Sequence, residues 1–104
     1  MSSGKIASQT AHAAVSLYIK AKSNPIFFIE IDTWVNTGQA KIVLKGLDEN
    51  SLIDFETKAS DANLISQTVR DAGRTQVEPG ALTCLGIFGK ISEIDKITSH
   101  LNLL

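Results

Sequence analysis

Between two apolar, β-like runs, Ile65–Arg70 and Leu82–Phe88, lies the stretch Asp71-Ala72-Gly73-Arg74-Thr75-Gln76-Val77-Glu78-Pro79-Gly80. It packs an acid, a base, a hydroxyl, an amide and two glycines into ten residues, which is a poor way to build a core. A carboxylate such as Asp71 can orient or deprotonate water, and hydroxyls beside it can hold water or substrate. Loops carried on a rigid scaffold are where such chemistry concentrates. The plain alternative is a hairpin connection in which Gly73 and Pro79-Gly80 serve only as turn residues. The loop's composition alone does not choose between the two.

Partners for this loop must come from elsewhere in the chain. Ser2-Ser3-Gly4 offers N-cap chemistry, and Lys5 to Lys22 reads as a helix. Lys5, Gln9 and His12 are spaced four and three apart and share one face, which then fades into alanines at 11, 13 and 14. The face is either solvated, or it turns Lys5 and Gln9 into a site with the free N–H groups of the helix start adding a weak anion preference. Gly4-Lys5 is not a phosphate-binding loop, since no glycine stands five residues upstream and Ile6 follows where a Ser or Thr is required. His12 and His100 are far apart and have no Cys or carboxylate at ligand spacing, so no metal site is read. The single cysteine, Cys84, lies in an apolar run and reads as a buried inert thiol.

The elements that would position these residues follow from pattern. Small residues along the first helix predict that it presses close to a sheet, and Asn24-Pro25 ends it. Ile26–Val35 alternates at Ile29, Ile31 and Thr33, which leaves open a short strand or a loop packed by its own apolar residues. Asn36-Thr37-Gly38 is a turn. Lys41–Leu44, flanked by glycines, predicts a strand. Asp48 caps a helix over about Glu49–Ala62 whose stripe Leu52, Phe55, Ala59 and Ala62 is core. Ile65–Val69 and Leu82–Phe88 are further strands, and Ser92 caps a last helix through about His100. Strand, helix and strand within about 30 residues predict a βαβ unit with parallel strands. The expected fold is α/β, a single-domain three-layer sandwich over residues 1–104 with a small mixed β-sheet and helices on both faces.

Composition bounds the rest. The chain has 104 residues, 43% of them hydrophobic, and a net charge of −1, which fits one ordinary globular domain and shows no overall basic excess for nucleic acid. One cysteine excludes an internal disulfide and fits a reducing compartment. No apolar run reaches the ~18–20 residues of a membrane span, and no secretory leader is read at Met1.

Several residue sets now point one way. Gly4-Lys5-Ile6-Ala7-Ser8-Gln9-Thr10-Ala11-His12-Ala13-Ala14 resembles the opening helix of the type 2 peptidyl-tRNA hydrolases, the archaeal and eukaryotic family. Gly38-Gln39-Ala40-Lys41-Ile42-Val43-Leu44 is similar to that family's second strand, and Asp71-Ala72-Gly73-Arg74-Thr75-Gln76 with Pro79-Gly80 and Thr83 to its signature loop. Ile94-Asp95-Lys96-Ile97 and Leu101-Asn102-Leu103-Leu104 resemble its closing helix and terminus. The resemblance covers nearly the whole chain.

The resemblance implies hydrolysis of the ester joining a peptide to the terminal ribose of tRNA. It carries the family's catalytic set onto Lys5, Asp71, Thr75 and Thr83 and implies no metal or organic cofactor; beside that set Gln9, on the helix face of Lys5, and Arg74 read as substrate-binding neighbours, with a structural ion pair equally open for Arg74. Chemically, Asp71 would act on water, Lys5 would stabilise developing negative charge or hold a phosphate, and the threonines would position water or substrate. Peptidyl-tRNA is the expected partner, a homodimer is open, no membrane is expected, and the cytoplasm is the expected compartment with the mitochondrion as alternative. The family has a strand before Gly4 where this chain has its start, so an open sheet edge is expected here. Two other readings stand beside the enzyme: a catalytically silent relative that binds tRNA or a protein, and an interaction protein whose sheet edge accepts a strand.

Overall fold

The computed structural model describes residues 1–71 and 80–104. The first helix, α1 (Ser3–Lys22), is capped by the Ser2 hydroxyl, which accepts from the Lys5 amide at 3.2 Å. It is followed by α2 (Phe28–Asn36), α3 (Glu49–Asp61), β1 (Ile65–Arg70), β2 (Leu82–Phe88) and α4 (Ile91–Thr98). The α/β fold expected from the sequence is the one adopted. β1 and β2 pair antiparallel, from Ile65 opposite Phe88 to Arg70 opposite Leu82.

Helices cover both faces of this pair. On one face Ala21 of α1, Phe27 and Ile31 of the α2 segment and Ile65 of β1 form a buried cluster, with Leu17, Tyr18, Trp34 and Phe88 packed against it. On the other, Phe55 and Ala59 of α3 and Ile97 of α4 pack with Leu64, Leu85, Ile87 and Leu101. Alternate residues of β2 therefore serve opposite cores, as the pleat requires. The close approach expected of the alanine-rich helix is realised at Gly86, where a Cβ would lie 2.6 Å from Leu17 Cδ1 and 3.3 Å from the Ala13 methyl. Only glycine lets α1 sit this near β2.

Several expectations are corrected. Ile26–Val35 is neither strand nor loop, because Phe28–Asn36 is helical. The alternation at Ile29 and Ile31 is incidental: Ile31 is 1% exposed while Ile29 is 67% exposed, and Phe27, Ile31 and Trp34 face the core at helical spacing. Lys41–Leu44 is not a sheet strand. Its partners come from the C-terminus, with one bridge between Leu44 and Leu103, Leu104 N–H on the Val43 carbonyl at 3.1 Å and Lys45 N–H on the Asn102 carbonyl at 2.9 Å. β-Branched residues alone do not make a strand without a neighbour to ladder with, and Ile42 is left 70% exposed. The parallel βαβ pairing and the mixed sheet built on that strand are therefore not formed among the described residues, where the sheet is the antiparallel pair alone. Finally, Ser92 lies inside α4, whose N-cap is Lys90 with no side-chain cap. By contrast Asp48 does cap α3, in a reciprocal box with Ser51, and Ala62 of its predicted stripe is exposed just past the helix.

Candidate active site

Down α1 the side chains 5, 9, 13, 17 and 21 follow at one-turn spacing in a row that drifts about 40° round the helix at each step and runs from charged to apolar. The apolar end of this row is pinned by Ala13 against Gly86 and by Ala21 in the core. The polar end is thereby held over the sheet at the point where β1 ends and β2 begins. There the Lys5 ammonium forms an ion pair with Asp71 Oδ1. The Asp71 side chain is 1% exposed and that of Lys5 14%. Gln9, also buried, donates from Nε2 to Thr83 Oγ1 at 2.9 Å. The Thr83 hydroxyl in turn donates to the Val69 carbonyl at 3.2 Å. Four of the residues singled out in the sequence, from α1, the end of β1 and β2, thus meet in one place.

The placement of Asp71 is a backbone matter. Its N–H donates to the Ala81 carbonyl at 2.9 Å, and the Gly80 N–H donates to its carbonyl at 2.8 Å. The chain is tied shut at the root of the loop, with Gly80 taking the left-handed φ of 79° that glycine adopts freely.

The placement of Thr83 depends on an irregularity. Val69 pairs with Cys84 and the next residue, Arg70, pairs with Leu82, so Thr83 is an extra residue in β2. Gly86 and Phe88 face α1 while Leu85 and Ile87 face α3 and α4. Regular alternation would send Thr83 to the α3 side. The bulge returns its hydroxyl to α1, where it meets Gln9. No sequence pattern announces this bulge.

The remaining predicted residues lie apart or outside. His12 is exposed and is not brought to the site. Arg74 and Thr75 fall outside the described residues. Among the described residues no group of three or more His, Cys, Asp or Glu side chains converges as a metal site would, and no helix is long and apolar enough to cross a membrane. Cys84 is half-buried, and burial pushes its thiol above the usual range, which keeps it a poor nucleophile. One residue that the pattern did not single out does reach this region. Arg70 Nη1 donates to the Gly80 carbonyl at 2.8 Å and lies 3.5 Å from Glu49 Oε1 of α3.

Chemically, the arrangement sets a buried carboxylate against an ammonium that keeps a little contact with solvent, beside a hydroxyl with a fixed orientation. Isolated buried ion pairs are weak devices for stability, because desolvation offsets the attraction. A buried pair next to an ordered hydroxyl is suited to binding water and to stabilising an oxyanion. The Thr83 hydroxyl already donates its hydrogen bond to the Val69 carbonyl and accepts one from Gln9, which leaves it an acceptor and positioner. A nucleophilic hydroxyl would need a base in place of that carbonyl.

Comparison with known proteins supplies a reaction. The family model described as peptidyl-tRNA hydrolase PTH2 matches residues 1–104. The peptidyl-tRNA hydrolase of Metallosphaera sedula is 46% identical over 105 residues, spanning 100% of this chain and 90% of the relative. That of Methanocaldococcus jannaschii is 43% identical over 106 residues, with 100% and 90% covered. The mitochondrial peptidyl-tRNA hydrolase 2 of Mus musculus is 44% identical over 105 residues, covering 99% of this chain and 56% of the mouse protein.

Proposed function

The chain belongs to the peptidyl-tRNA hydrolase PTH2 family, and from that premise we propose that Lys5, Asp71 and Thr83, with Gln9, are the centre at which it works. Its reaction is hydrolysis of the ester bond of peptidyl-tRNA, which releases free tRNA and peptide. The observation that carries the assignment is the buried Lys5–Asp71 ion pair beside the Gln9–Thr83 hydrogen bond.

In this reading Asp71 orients a water molecule and takes its proton as the water attacks the ester carbonyl. Positioned bases of this kind contribute about 10²–10⁴-fold. The carbonyl oxygen becomes an oxyanion, which the Lys5 ammonium stabilises; a single donor in that role contributes about 10²–10³-fold. Collapse of the intermediate expels the ribose oxygen, which regains the proton held by Asp71. Thr83, its own proton committed to Val69, offers a lone pair to the water or to a substrate N–H, and Gln9 keeps it so oriented. The family resemblance adds Thr75 to the catalytic set, and Arg74 is read as a contact for substrate phosphate. No cofactor enters any step.

The substrate partner is peptidyl-tRNA, and the working compartment is the cytoplasm, with a mitochondrial location as the alternative that the mouse relative's name raises. The silent binding module and the strand acceptor are not favoured, because the relatives on both the archaeal and the animal side bear the hydrolase name. The test is release of tRNA from N-blocked aminoacyl-tRNA by the purified protein. Turnover is expected and Asp71→Ala is expected to remove it. A folded wild-type chain with no more turnover than the variant would overturn the assignment.

A further inference from the structure

Arg70 is the last residue of β1, so its side chain leaves the sheet on the face opposite to Asp71. It points toward α3, where Glu49 stands in the first turn. From there the guanidinium donates to the carbonyl of Gly80. Gly80 is therefore gripped at both ends of one residue: its N–H by the Asp71 carbonyl and its C=O by Arg70. Ala81, next in the chain, accepts from the Asp71 N–H. Asp71 thus sits inside a closed set of three hydrogen bonds, two of its own backbone and one from its neighbour's side chain.

We propose that Arg70 is a positioning residue for the reaction: by pinning the Gly80 carbonyl it fixes the backbone of Asp71 and so holds the carboxylate where Lys5 meets it. The proposal rests on the hydrolase reading above and adds to it a residue on the far face of the sheet. Gly80 needs such a clamp because glycine, at a φ of 79°, has wide conformational freedom that the other two hydrogen bonds alone must restrain. Glu49 plays a lesser part. Its pairing with Arg70 is at 3.5 Å, and both side chains are about half exposed (47% and 55%), so solvent screens it and its contribution is to aim the guanidinium. Arg70 makes no hydrogen bond or ion pair with Lys5 or Thr83. Its effect passes through Gly80 and Asp71.

A plain surface arginine near a tRNA site suggests a different role, contact with substrate phosphate, and the two separate cleanly in kinetics. A positioning residue changes kcat, whereas a phosphate contact changes KM and its salt dependence. The experiment compares wild type, Arg70→Ala, Arg70→Lys and Glu49→Gln in turnover of N-blocked aminoacyl-tRNA and in amide hydrogen exchange at Asp71 and Gly80. Arg70→Ala is expected to lower kcat about tenfold, the scale of a small misplacement of a reacting group, with KM within about twofold and with faster exchange at both amides. Arg70→Lys should recover part of both, since an ammonium can still reach a carbonyl, and Glu49→Gln should show a smaller, salt-sensitive loss. Should Arg70→Ala fail to fold, the lysine and glutamine variants carry the same comparison. A raised KM with unchanged kcat, or unaltered exchange at Asp71 and Gly80, overturns the proposal. A wild-type protein without turnover would sink the hydrolase reading, and the exchange data would still decide whether Arg70 holds the clamp.

Discussion

Replacing Lys5 with methionine tests the central pair. Methionine keeps most of the length and apolar stem of lysine and removes only the charge. Asp71, 1% exposed, then carries its negative charge without this cation. Removing one partner of a buried pair costs about 3–5 kcal/mol. Lys5 keeps 14% exposure, so the site is not fully sealed and the lower end of that range applies. The expected loss is therefore about 3 kcal/mol, a fall in Tm of order 10–20 °C for a chain of this size.

The double variant Lys5→Met/Asp71→Asn places two neutral groups of similar volume in the site and should regain most of the wild-type Tm while remaining inactive. Thermal unfolding followed by circular dichroism gives these values. A Lys5→Met protein that melts within about 2 °C of wild type would refute a buried pair.

Two other substitutions probe the supports of the site. Thr83→Val keeps the shape and deletes the hydroxyl, leaving the buried Gln9 amide without its acceptor; a loss of about 1–3 kcal/mol in denaturant unfolding is expected, with turnover reduced and both largely kept in Thr83→Ser. Gly86→Ala would set a methyl 3.3 Å from the Ala13 methyl and 2.6 Å from the tip of Leu17. Leu17 can swing away, but Ala13 can move only with α1, so a loss of about 1–2 kcal/mol is expected, and turnover should fall further than at a substituted surface position because Lys5 and Gln9 ride on the same helix.

Much of the site can be read from local spacing. Lys5 and Gln9 are one helical turn apart, which puts them on one face whatever else the chain does, and Asp71 directly follows a run that is strand by composition. Both are consequences of backbone period. What spacing does not carry is registration between segments distant in sequence. The bulge at Thr83 is visible only once β1 and β2 are paired, and by alternation alone Thr83 would be assigned to the wrong face. Arg70 reads as the end of a strand until the Gly80 carbonyl is in place opposite it. Lys41–Leu44 shows the converse error, a segment with the composition of a strand whose neighbour is the chain's own C-terminus. Phe28–Asn36 was open to misreading because nine residues give barely two and a half turns, too few for period 3.6 to stand out from an alternation of three positions.

The extra residue in β2 also limits how the chain can change in length. On its Cys84–Phe88 side the side chains follow one alternation, and Thr83 marks where the count is reset. Deleting Thr83 alone would remove the surplus and leave Cys84–Phe88 in register, at the loss of the hydroxyl that meets Gln9. A deletion within Cys84–Phe88 that kept both the surplus residue and the Arg70–Leu82 pairing would exchange Leu85 and Ile87 with Gly86 and Phe88 between the two cores, and a single-residue insertion there would do the same in the other direction. Substitutions can be absorbed here one side chain at a time, whereas a change of one in length past Thr83 is felt by both layers of helices at once. Related sequences of this family should accordingly vary in residue type along β2 and hold its length from Leu82 to Phe88 fixed.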